Sequence, residues 1–339
     1  MLKIKKNIIL APYTTLKIGP AAEFFAVIKS REEVLEAITW ARINKKPLYV
    51  LGGGSNLLIT KKIKGLVLKN EIKGISLVDE NRDYAFVQGK SGELWTKFVD
   101  FCVRHNFYGL ENLFLIYGTV GAAPIQNIGA YGVELKDVFH HLKAIDLKTG
   151  HEKIFTLRDC QFGYRDSVFK HRLRNRYFIY SVTVKLKRQA EFKLDYGSIR
   201  TELTKRKIDK PKLRDVVRAI ELIRNSKLPN PAVLPNAGSF FKNVEIGVGK
   251  FKQLLKHYPD LPYFQVTKRR IKIPAGWLIE ASGFKGKRIG SVGMCEKQAL
   301  ILVNYGGASA RQVLSFIKKV KTAVHKKFAL DLEEEVNIL

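Results

Sequence analysis

Apolar residues recur along the chain at two spacings, which predict strands and helices in alternation. Residues 22–29 (AEFFAVIK) are mostly apolar and predict a strand. Ser30 follows, with Glu33 three residues later, which is the pattern of a helix N-cap ahead of an apolar face with helical spacing. Residues 47–51 predict a second strand that runs directly into three consecutive glycines. The first part of the chain therefore predicts a strand–helix–strand unit that ends in a polar glycine loop.

The same periodicities extend over the rest of the first half. They predict strands at 65–69, 84–88, about 142–147 and 178–187, and a helix at about 92–105. The uncharged stretch 112–133 is long enough to be compared with a membrane span. It contains four glycines, a proline and amide side chains, which suit a lipid-facing helix poorly, so we predict a glycine-rich loop system.

The second half begins where the composition turns basic, at 205–214, and we place a domain boundary there. Beyond it the pattern predicts helices at 213–225, about 248–257, 276–281 and 309–328, a loop at 227–243, and a strand at 299–304. The tail, 330–339, alternates like a strand. Leu332 and Val336 point to one face, and Glu333 and Glu335 point to the other.

Composition narrows the class of protein. The 339 residues include 46% hydrophobic side chains, which excludes a disordered chain and suggests about two domains. Sixty Lys and Arg against 31 Asp and Glu give a net charge of +29, which raises the question of nucleic acid. No zinc-finger spacing or RNP motif accompanies the charge, so we favour a solvated, lysine-rich surface, with steering of anionic small substrates as a second interpretation. Cys102, Cys160 and Cys295 form no C-x-x-C pair, so we expect a reducing cytosol and no metal site.

Two glycine-rich segments could hold a ligand. LGGGSNLLIT (51–60) offers exposed backbone amides suited to phosphate oxygens, although it has neither Rossmann nor P-loop spacing and could be a plain turn. YGTVGAAPIQNIGAYG (117–132) could lie against a large flat ligand or be a tightly packed loop. Two such loops in one half of a chain favour a dinucleotide cofactor.

Three further segments carry candidate polar groups. In FGYRDSVFK (162–170), Arg165 stands beside a tyrosine and an aspartate and could form an ordinary ion pair. In PNAGSFFKN (235–243), Ser239 precedes two aromatic residues, but the segment is not a G-x-S-x-G nucleophile elbow. LEEEV (332–336) is an acidic cluster in a basic chain.

Taken in order, these five motifs resemble the UDP-N-acetylenolpyruvoylglucosamine reductase (MurB) family, in its longer type with a tyrosine loop, from about Thr15 onward. The resemblance implies an α+β fold. An FAD-binding region of the vanillyl-alcohol-oxidase (PCMH) type would span 1–204, in lobes of about 1–70 and 71–204. A smaller α/β substrate-binding domain would span 205–330. A C-terminal strand, 331–339, would carry a catalytic glutamate and pack back at the flavin site.

The resemblance also implies an activity. It is the NADPH-dependent reduction of UDP-N-acetyl-3-O-(1-carboxyvinyl)glucosamine to UDP-N-acetylmuramate, for peptidoglycan synthesis, with non-covalent FAD. Ser239 would be the proton donor, and Arg165 and Glu335 the other two catalytic residues. The alternatives are another FAD oxidoreductase on the same fold and a basic nucleic-acid-binding protein.

Binding residues follow from the same resemblance. The implied cofactor residues are Gly52, Gly53, Gly54, Ser55, Asn56, Leu57, Gly118, Thr119, Gly121, Ala122, Gln126, Asn127, Gly129, Ala130 and Tyr131. The implied substrate residues are Tyr196, on a mobile loop over the UDP group, with Lys227, Asn243, Lys272 and Gln298. We expect a cytoplasmic bacterial monomer that binds neither nucleic acid nor membrane.

Among the places where the chain departs from the family pattern, two affect candidate site segments. Tyr117 stands where the second glycine loop usually has proline, and Glu334 stands where the tail usually has proline. The second change leaves the choice of Glu335 over Glu333 resting on register alone.

Overall fold

A computed structural model describes residues 2–195 and 198–339. The strands are β1 (Lys5–Ile9), β2 (Ala21–Ile28), β3 (Leu48–Leu51), β4 (Leu57–Leu58), β5 (Ile63–Asn70), β6 (Ile75–Glu80), β7 (Tyr84–Lys90), β8 (Gly129–Ala130), β9 (Val133–Glu134), β10 (Phe139–Asp146), β11 (Glu152–Thr156), β12 (Tyr177–Lys187), β13 (Asn236–Ser239), β14 (Val244–Gly247), β15 (Phe264–Thr267), β16 (Arg270–Ile273), β17 (Arg288–Ile289), β18 (Val292–Met294), β19 (Ile301–Asn304) and β20 (Asn337–Ile338). The α-helices are α1 (Arg31–Ile43), α2 (Trp95–Arg104), α3 (Leu157–Cys160), α4 (Ile199–Lys205), α5 (Leu213–Lys227), α6 (Val248–His257), α7 (Ala275–Ala281) and α8 (Ala310–Phe328). Short 3-10 helices lie at Ala11–Tyr13, Glu111–Leu113, Val120–Ile125, Leu135–Asp137 and Val168–Lys170.

The chain divides into two compact units. The first unit consists of residues up to Ile9, Ala21–Gly54 and Lys62–Asn225, and the second unit consists of Leu10–Pro20, Ser55–Lys61 and Ser226–Leu339. The boundary that we placed at residue 205 therefore falls inside the first unit. The reason is packing: Ile199 and Leu203 of α4 share one buried cluster with Val216 and Ile220 of α5. A basic surface composition does not mark a break in that core.

The first unit contains two main sheets. One has the order β1-β2-β5-β3, with β5 parallel to both β2 and β3. Helix α1 covers it with Val34, Ala37 and Ile38, all of which are buried. As predicted, Ser30 caps this helix, since its side chain accepts a hydrogen bond from the Glu33 amide. The strand–helix–strand prediction is confirmed, with β5 inserted between β2 and β3.

The other sheet of the first unit is antiparallel and has the order β11-β10-β12-β7-β6. Phe98 and Cys102 of α2 are fully buried in the same core cluster as Val87 of β7 and Val182 of β12. The predicted loop system at 112–133 forms 3-10 turns and the small β8–β9 pair. In the described part of the chain, no helix combines the length and apolarity that crossing a bilayer requires.

The second unit is built on the sheet β13-β19-β18-β17, with the smaller sheet β14-β16-β15 and the pair β20-β4. Helix α8 buries the apolar stripe predicted for it, which includes Val313, Phe316 and Phe328. The prediction of a loop throughout 227–243 is wrong, because β13 lies inside it and pairs with β19. Four residues of small and polar type carry no periodic signal, so only the partner strand reveals this element.

The predicted alternation of the tail is also only partly correct. Regular pairing is limited to β20, with an isolated bridge between Phe241 and Glu334, and Ile338 is exposed. The pairing changes partner along the tail, from the segment after β13 to β4, so the strict alternation of faces is lost.

Candidate active site

The two glycine loops contact each other in the first unit. Strand β3 ends at Leu51, and a Cβ atom on the next residue, Gly52, would lie 2.7 Å from Thr119 Oγ1. A Cβ on Gly53 would lie 3.0 Å from the Gly118 Cα atom. Only glycine permits this approach of two backbones. The remaining residues of the first loop, Ser55 to Leu57, belong to the second unit.

The contact region fits a phosphate-bearing cofactor. The Thr119 hydroxyl oxygen is buried and has no hydrogen-bond partner among the described residues, which leaves it available to a ligand. Lys69 of β5 donates a hydrogen bond to the Gly52 carbonyl oxygen at 2.5 Å. Burial lowers the pKa of this ammonium group. Sequence reasoning missed Lys69, although a lysine near the end of an otherwise buried strand is a signal that could have found it.

Not every predicted cofactor residue is available to a ligand. The Asn127 side chain is fully buried, and it donates to Glu134 Oε2 at 3.0 Å and to the Gly163 carbonyl oxygen at 2.9 Å. Its amide oxygen accepts from the Lys136 backbone. All of its hydrogen-bonding capacity is directed into the protein. The side chain therefore joins the second glycine loop to the segment that carries Arg165.

Arg165 is fixed to the second glycine loop. Its Nη2 atom donates to the Gly129 carbonyl oxygen at 2.6 Å, and a Cβ on Gly129 would lie 2.9 Å from Nη1. The neighbouring Asp166 carboxylate contacts His171 at 2.8 Å. Arg165 has a φ of +52°, and Tyr131 and Leu115 have φ values of +49° and +58°. Left-handed non-glycine residues cost free energy and cluster at functional sites, so this region has the character of one.

In the second unit the backbone of Glu335 lies opposite the residue that follows Ser239. Residues 240–242, immediately after β13, run antiparallel to 333–335. The Glu335 amide donates to the Phe240 carbonyl oxygen at 2.9 Å, and the Lys242 amide donates to the Glu333 carbonyl oxygen at 2.9 Å. Glu335 thus lies opposite Phe240, one residue from Ser239.

The three tail glutamates have different surroundings. Glu335 is buried, with 9% of its surface exposed. Glu333 keeps 73% of its side chain exposed and pairs with Lys242 at 2.5 Å. Glu334, in the position that usually holds proline, pairs with Lys321 at 2.9 Å. Burial thus singles out Glu335 among the three, which supports the register we chose.

Asn56 anchors the tail from the first glycine loop. Its side-chain amide donates to the Glu335 carbonyl oxygen at 3.2 Å, and its own carbonyl oxygen accepts from the Asn337 amide at 3.1 Å. The parallel pairing of β4 with β20 continues this contact. A residue predicted to bind the cofactor therefore also fixes the backbone of a predicted catalytic residue.

The predicted substrate residues lie on several elements of the second unit. The Asn243 side-chain oxygen accepts from the Ala275 amide at 3.0 Å, and Gln298 Oε1 lies 3.0 Å from the position of a Cβ on Gly276, so both flank the start of α7. Lys272 of β16 pairs with Glu245 of β14 at 3.2 Å. Lys227 is exposed at the end of α5. Tyr196 lies outside the described residues.

Comparison with known proteins decides the family. A model of the C-terminal domain of UDP-N-acetylenolpyruvoylglucosamine reductase matches residues 230–339, and an FAD binding domain matches residues 22–157. The UDP-N-acetylenolpyruvoylglucosamine reductase of Flavobacterium johnsoniae is 43% identical over 339 residues, covering 100% of both chains. The same enzyme of Pseudomonas aeruginosa is 44% identical over 337 residues, covering 99% of each. The chain belongs to the UDP-N-acetylenolpyruvoylglucosamine reductase family.

A solved structure supports the fold of this MurB family member. The crystal structure of MurB from Thermus caldophilus superimposes with a TM-score of 0.67 at 22% identity, covering 100% of this chain and 99% of that one. The vanillyl-alcohol-oxidase type of the flavin-binding region stays a prediction, whereas the prediction of an α+β fold with an FAD-binding region is confirmed. So are the predictions of an FAD-dependent oxidoreductase and of the family itself. The assignment to the longer type, which depends on Tyr196, stays a prediction.

Proposed function

We propose that this chain reduces the enolpyruvyl group of UDP-N-acetyl-3-O-(1-carboxyvinyl)glucosamine to give UDP-N-acetylmuramate, with Ser239, Arg165 and Glu335 as catalytic residues. The observation that carries the assignment of roles is the antiparallel contact in the second unit. In that contact the buried Glu335 lies opposite Phe240, the residue that follows Ser239.

FAD held by the glycine loops and reduced by NADPH would supply the hydride that adds to the methylene carbon of the enolpyruvyl group. The pair of electrons released from the double bond then resides on the adjacent carbon and its carboxylate. The protein must stabilise that charge and deliver one proton to the carbon.

Ser239 is suited to give that proton. It is half-buried at the end of β13, and Gly238 before it adopts a φ of +72° where the pairing of β13 with β19 is irregular. A serine hydroxyl is a weak acid, but a carbanion is a far stronger base, so the transfer is downhill. The alkoxide then recovers a proton from solvent.

Arg165 and Glu335 have separate roles in that proton transfer. Arg165 holds a fixed positive charge, because its bond to the Gly129 carbonyl oxygen prevents the guanidinium from turning away. Glu335 orients the groups that exchange protons with Ser239 and has little freedom to move, since its backbone is held by Phe240 and Asn56.

The predicted binding residues divide between cofactor and substrate. The contact of Gly52 and Gly53 with Gly118 and Thr119 supports the glycine loops as the flavin-holding elements. Lys227, Asn243, Lys272 and Gln298, with Tyr196, are proposed to take the nucleotide substrate. Since Asn243 already caps α7 through its side-chain oxygen, its amide NH₂ group is the part that is available to donate to a ligand.

We also propose that the protein works as a monomer in the cytoplasm without a nucleic-acid partner. All three cysteines are free and buried, which agrees with a reducing compartment. A net charge of +29 opposes self-association through repulsion. Light scattering during size-exclusion chromatography, with and without added RNA, tests the monomeric state and the lack of an RNA partner.

A series of visible spectra on one sample tests the activity. The visible spectrum of the purified protein is recorded before and after anaerobic NADPH, and again after the enolpyruvyl nucleotide. A flavin band that bleaches with NADPH and returns with the nucleotide establishes both half-reactions. A bleached band that returns only with oxygen would support another FAD oxidoreductase instead.

A further inference from the structure

Arg224 of α5 is a partly buried cation that the catalytic assignments do not use. Its Nη2 atom donates to the Leu115 carbonyl oxygen at 3.2 Å, and its guanidinium donates to the Tyr131 hydroxyl. Its Nε atom is buried and has no partner among the described residues. A guanidinium has five N–H donors, and a buried donor without a hydrogen-bond partner costs free energy.

No carboxylate in the described part of the chain neutralises Arg224. The charged or ionisable groups close enough to affect it are Tyr117, Tyr131 and Arg165. Burial raises the pKa of both tyrosines, so they remain neutral at physiological pH. Burial first, and then the charge of Arg165, lowers the pKa of Arg224. Two guanidinium groups thus lie close together in the first unit without an acidic group for Arg224.

Both guanidinium groups are attached to the same short segment of backbone. Arg165 bonds the Gly129 carbonyl oxygen, and Arg224 bonds the side chain of Tyr131, two residues further on. Tyr131 is itself held by Asn112, whose side-chain amide donates to the Tyr131 carbonyl oxygen at 2.8 Å. The separation of the two cations is therefore set by rigid local contacts, as in a preorganised oxyanion site.

We propose that Arg224 is a substrate-binding residue, which joins Arg165 in a two-guanidinium subsite for the carboxylate of the enolpyruvyl group. The proposal rests on the proposed function, because it takes the substrate carboxylate to lie beside Arg165. A planar carboxylate matches the fork of an arginine, and it would satisfy the free Nε donor and offset the repulsion between the two cations. The backbone amides of the glycine loops bind the phosphate groups of the cofactor in this assignment.

The test compares two ligands that differ in the carboxylate. UDP-N-acetylglucosamine has the nucleotide and the sugar but no carboxyvinyl group. Equilibrium binding of this compound and of the enolpyruvyl nucleotide to the oxidised holoenzyme is measured by the change in flavin fluorescence. The quantity of interest is the dissociation constant of UDP-N-acetylglucosamine divided by that of the enolpyruvyl nucleotide.

We expect Arg224→Gln to reduce that ratio about 10- to 100-fold while affinity for UDP-N-acetylglucosamine and FAD content stay within about twofold. Arg224→Met, which leaves no polar group to bury, serves as the second variant if the glutamine variant does not fold. Arg224→Lys keeps the charge without the fork and should give an intermediate ratio. Arg218→Gln is the matched control, since Arg218 lies on the same helix and pairs with Glu221 at the surface.

Two results would overturn the proposal. Equal weakening of both ligands would show that Arg224 only maintains the structure, and loss of FAD with an unchanged ratio would assign it to a cofactor phosphate. The proposed function fails separately: a wild-type protein that binds the enolpyruvyl nucleotide preferentially but never reduces it would contradict the activity and leave the subsite standing.

Discussion

The three glutamates at the tail provide a matched series for testing the catalytic register. Glu333→Gln, Glu334→Gln and Glu335→Gln each remove one negative charge with almost no change in shape. The three positions are adjacent in sequence, yet their surroundings differ. Any general effect of lowering the acidity of the tail is therefore common to all three variants.

The structure sets the expected size of each effect. Glu335 is buried, and its backbone is held by Phe240 and Asn56, so glutamine should occupy the same place and the loss should be electrostatic. A charged group at the reacting atoms contributes about 10²- to 10³-fold to kcat, or about 3–4 kcal/mol. Glu333 is solvent-exposed in its pair with Lys242, so its removal should leave kcat within about twofold. Glu334→Gln should lower the free energy of unfolding by at most about 1 kcal/mol, because it removes only a partly exposed ion pair with Lys321.

The assay is steady-state oxidation of NADPH with the enolpyruvyl nucleotide at saturating concentrations. FAD content and thermal melting are recorded for each variant, so that a loss of kcat is not confused with a loss of folded holoenzyme. If Glu333→Gln lost far more kcat than Glu335→Gln while its melting temperature was unchanged, the register would be off by two residues and the assignment would move to Glu333.

Three further outcomes are expected. Ser239→Ala should leave the rate of anaerobic FAD reduction by NADPH within about twofold of wild type, but slow the reoxidation of the flavin by substrate at least 10²-fold, as measured by stopped-flow absorbance. An equal loss of rate in both half-reactions would contradict the proton-donor role. Gly53→Ala should weaken FAD binding about 10- to 100-fold, because the added methyl group meets backbone at Gly118, whereas Gly249→Ala, with open space around it, should not; similar FAD titrations for both variants would contradict the loop contact. Burial raises the pKa of the Cys160 thiol to about 12. A disulfide reagent at pH 8 should therefore modify Cys160 about a thousandfold more slowly in the native protein than in the protein unfolded in guanidinium. A Cys160 thiol that reacts at once in the native protein would refute its burial.

Much of the fold was accessible from local patterns. The cap at Ser30, the apolar face of α1 and the buried stripe of α8 all follow from spacings of a few residues. Such features are decided by contacts within one turn or one strand, and the sequence records those contacts directly. The elements that escaped prediction, β13 above all, are short and depend on pairing with a distant strand.

The candidate site divides in the same way. The motifs around Ser239, Arg165 and the two glycine loops could be recognised in sequence because each is a contiguous run of residues. Arg224 and Lys69 could not, since each is an ordinary basic residue in a chain that has 60 of them. Their distinction is partial burial beside a particular loop, which is a property of tertiary packing.

The tail shows where the two kinds of information meet. By itself the sequence determined that an acidic, alternating segment ends this chain, and that one of two glutamates on one face was the catalytic candidate. Only the tertiary structure separated them, by pairing the tail first with the segment after Ser239 and then with β4. Glutamate side chains two residues apart are equivalent in a strand pattern, and they become different only when a neighbouring strand and a loop exclude water from one of them.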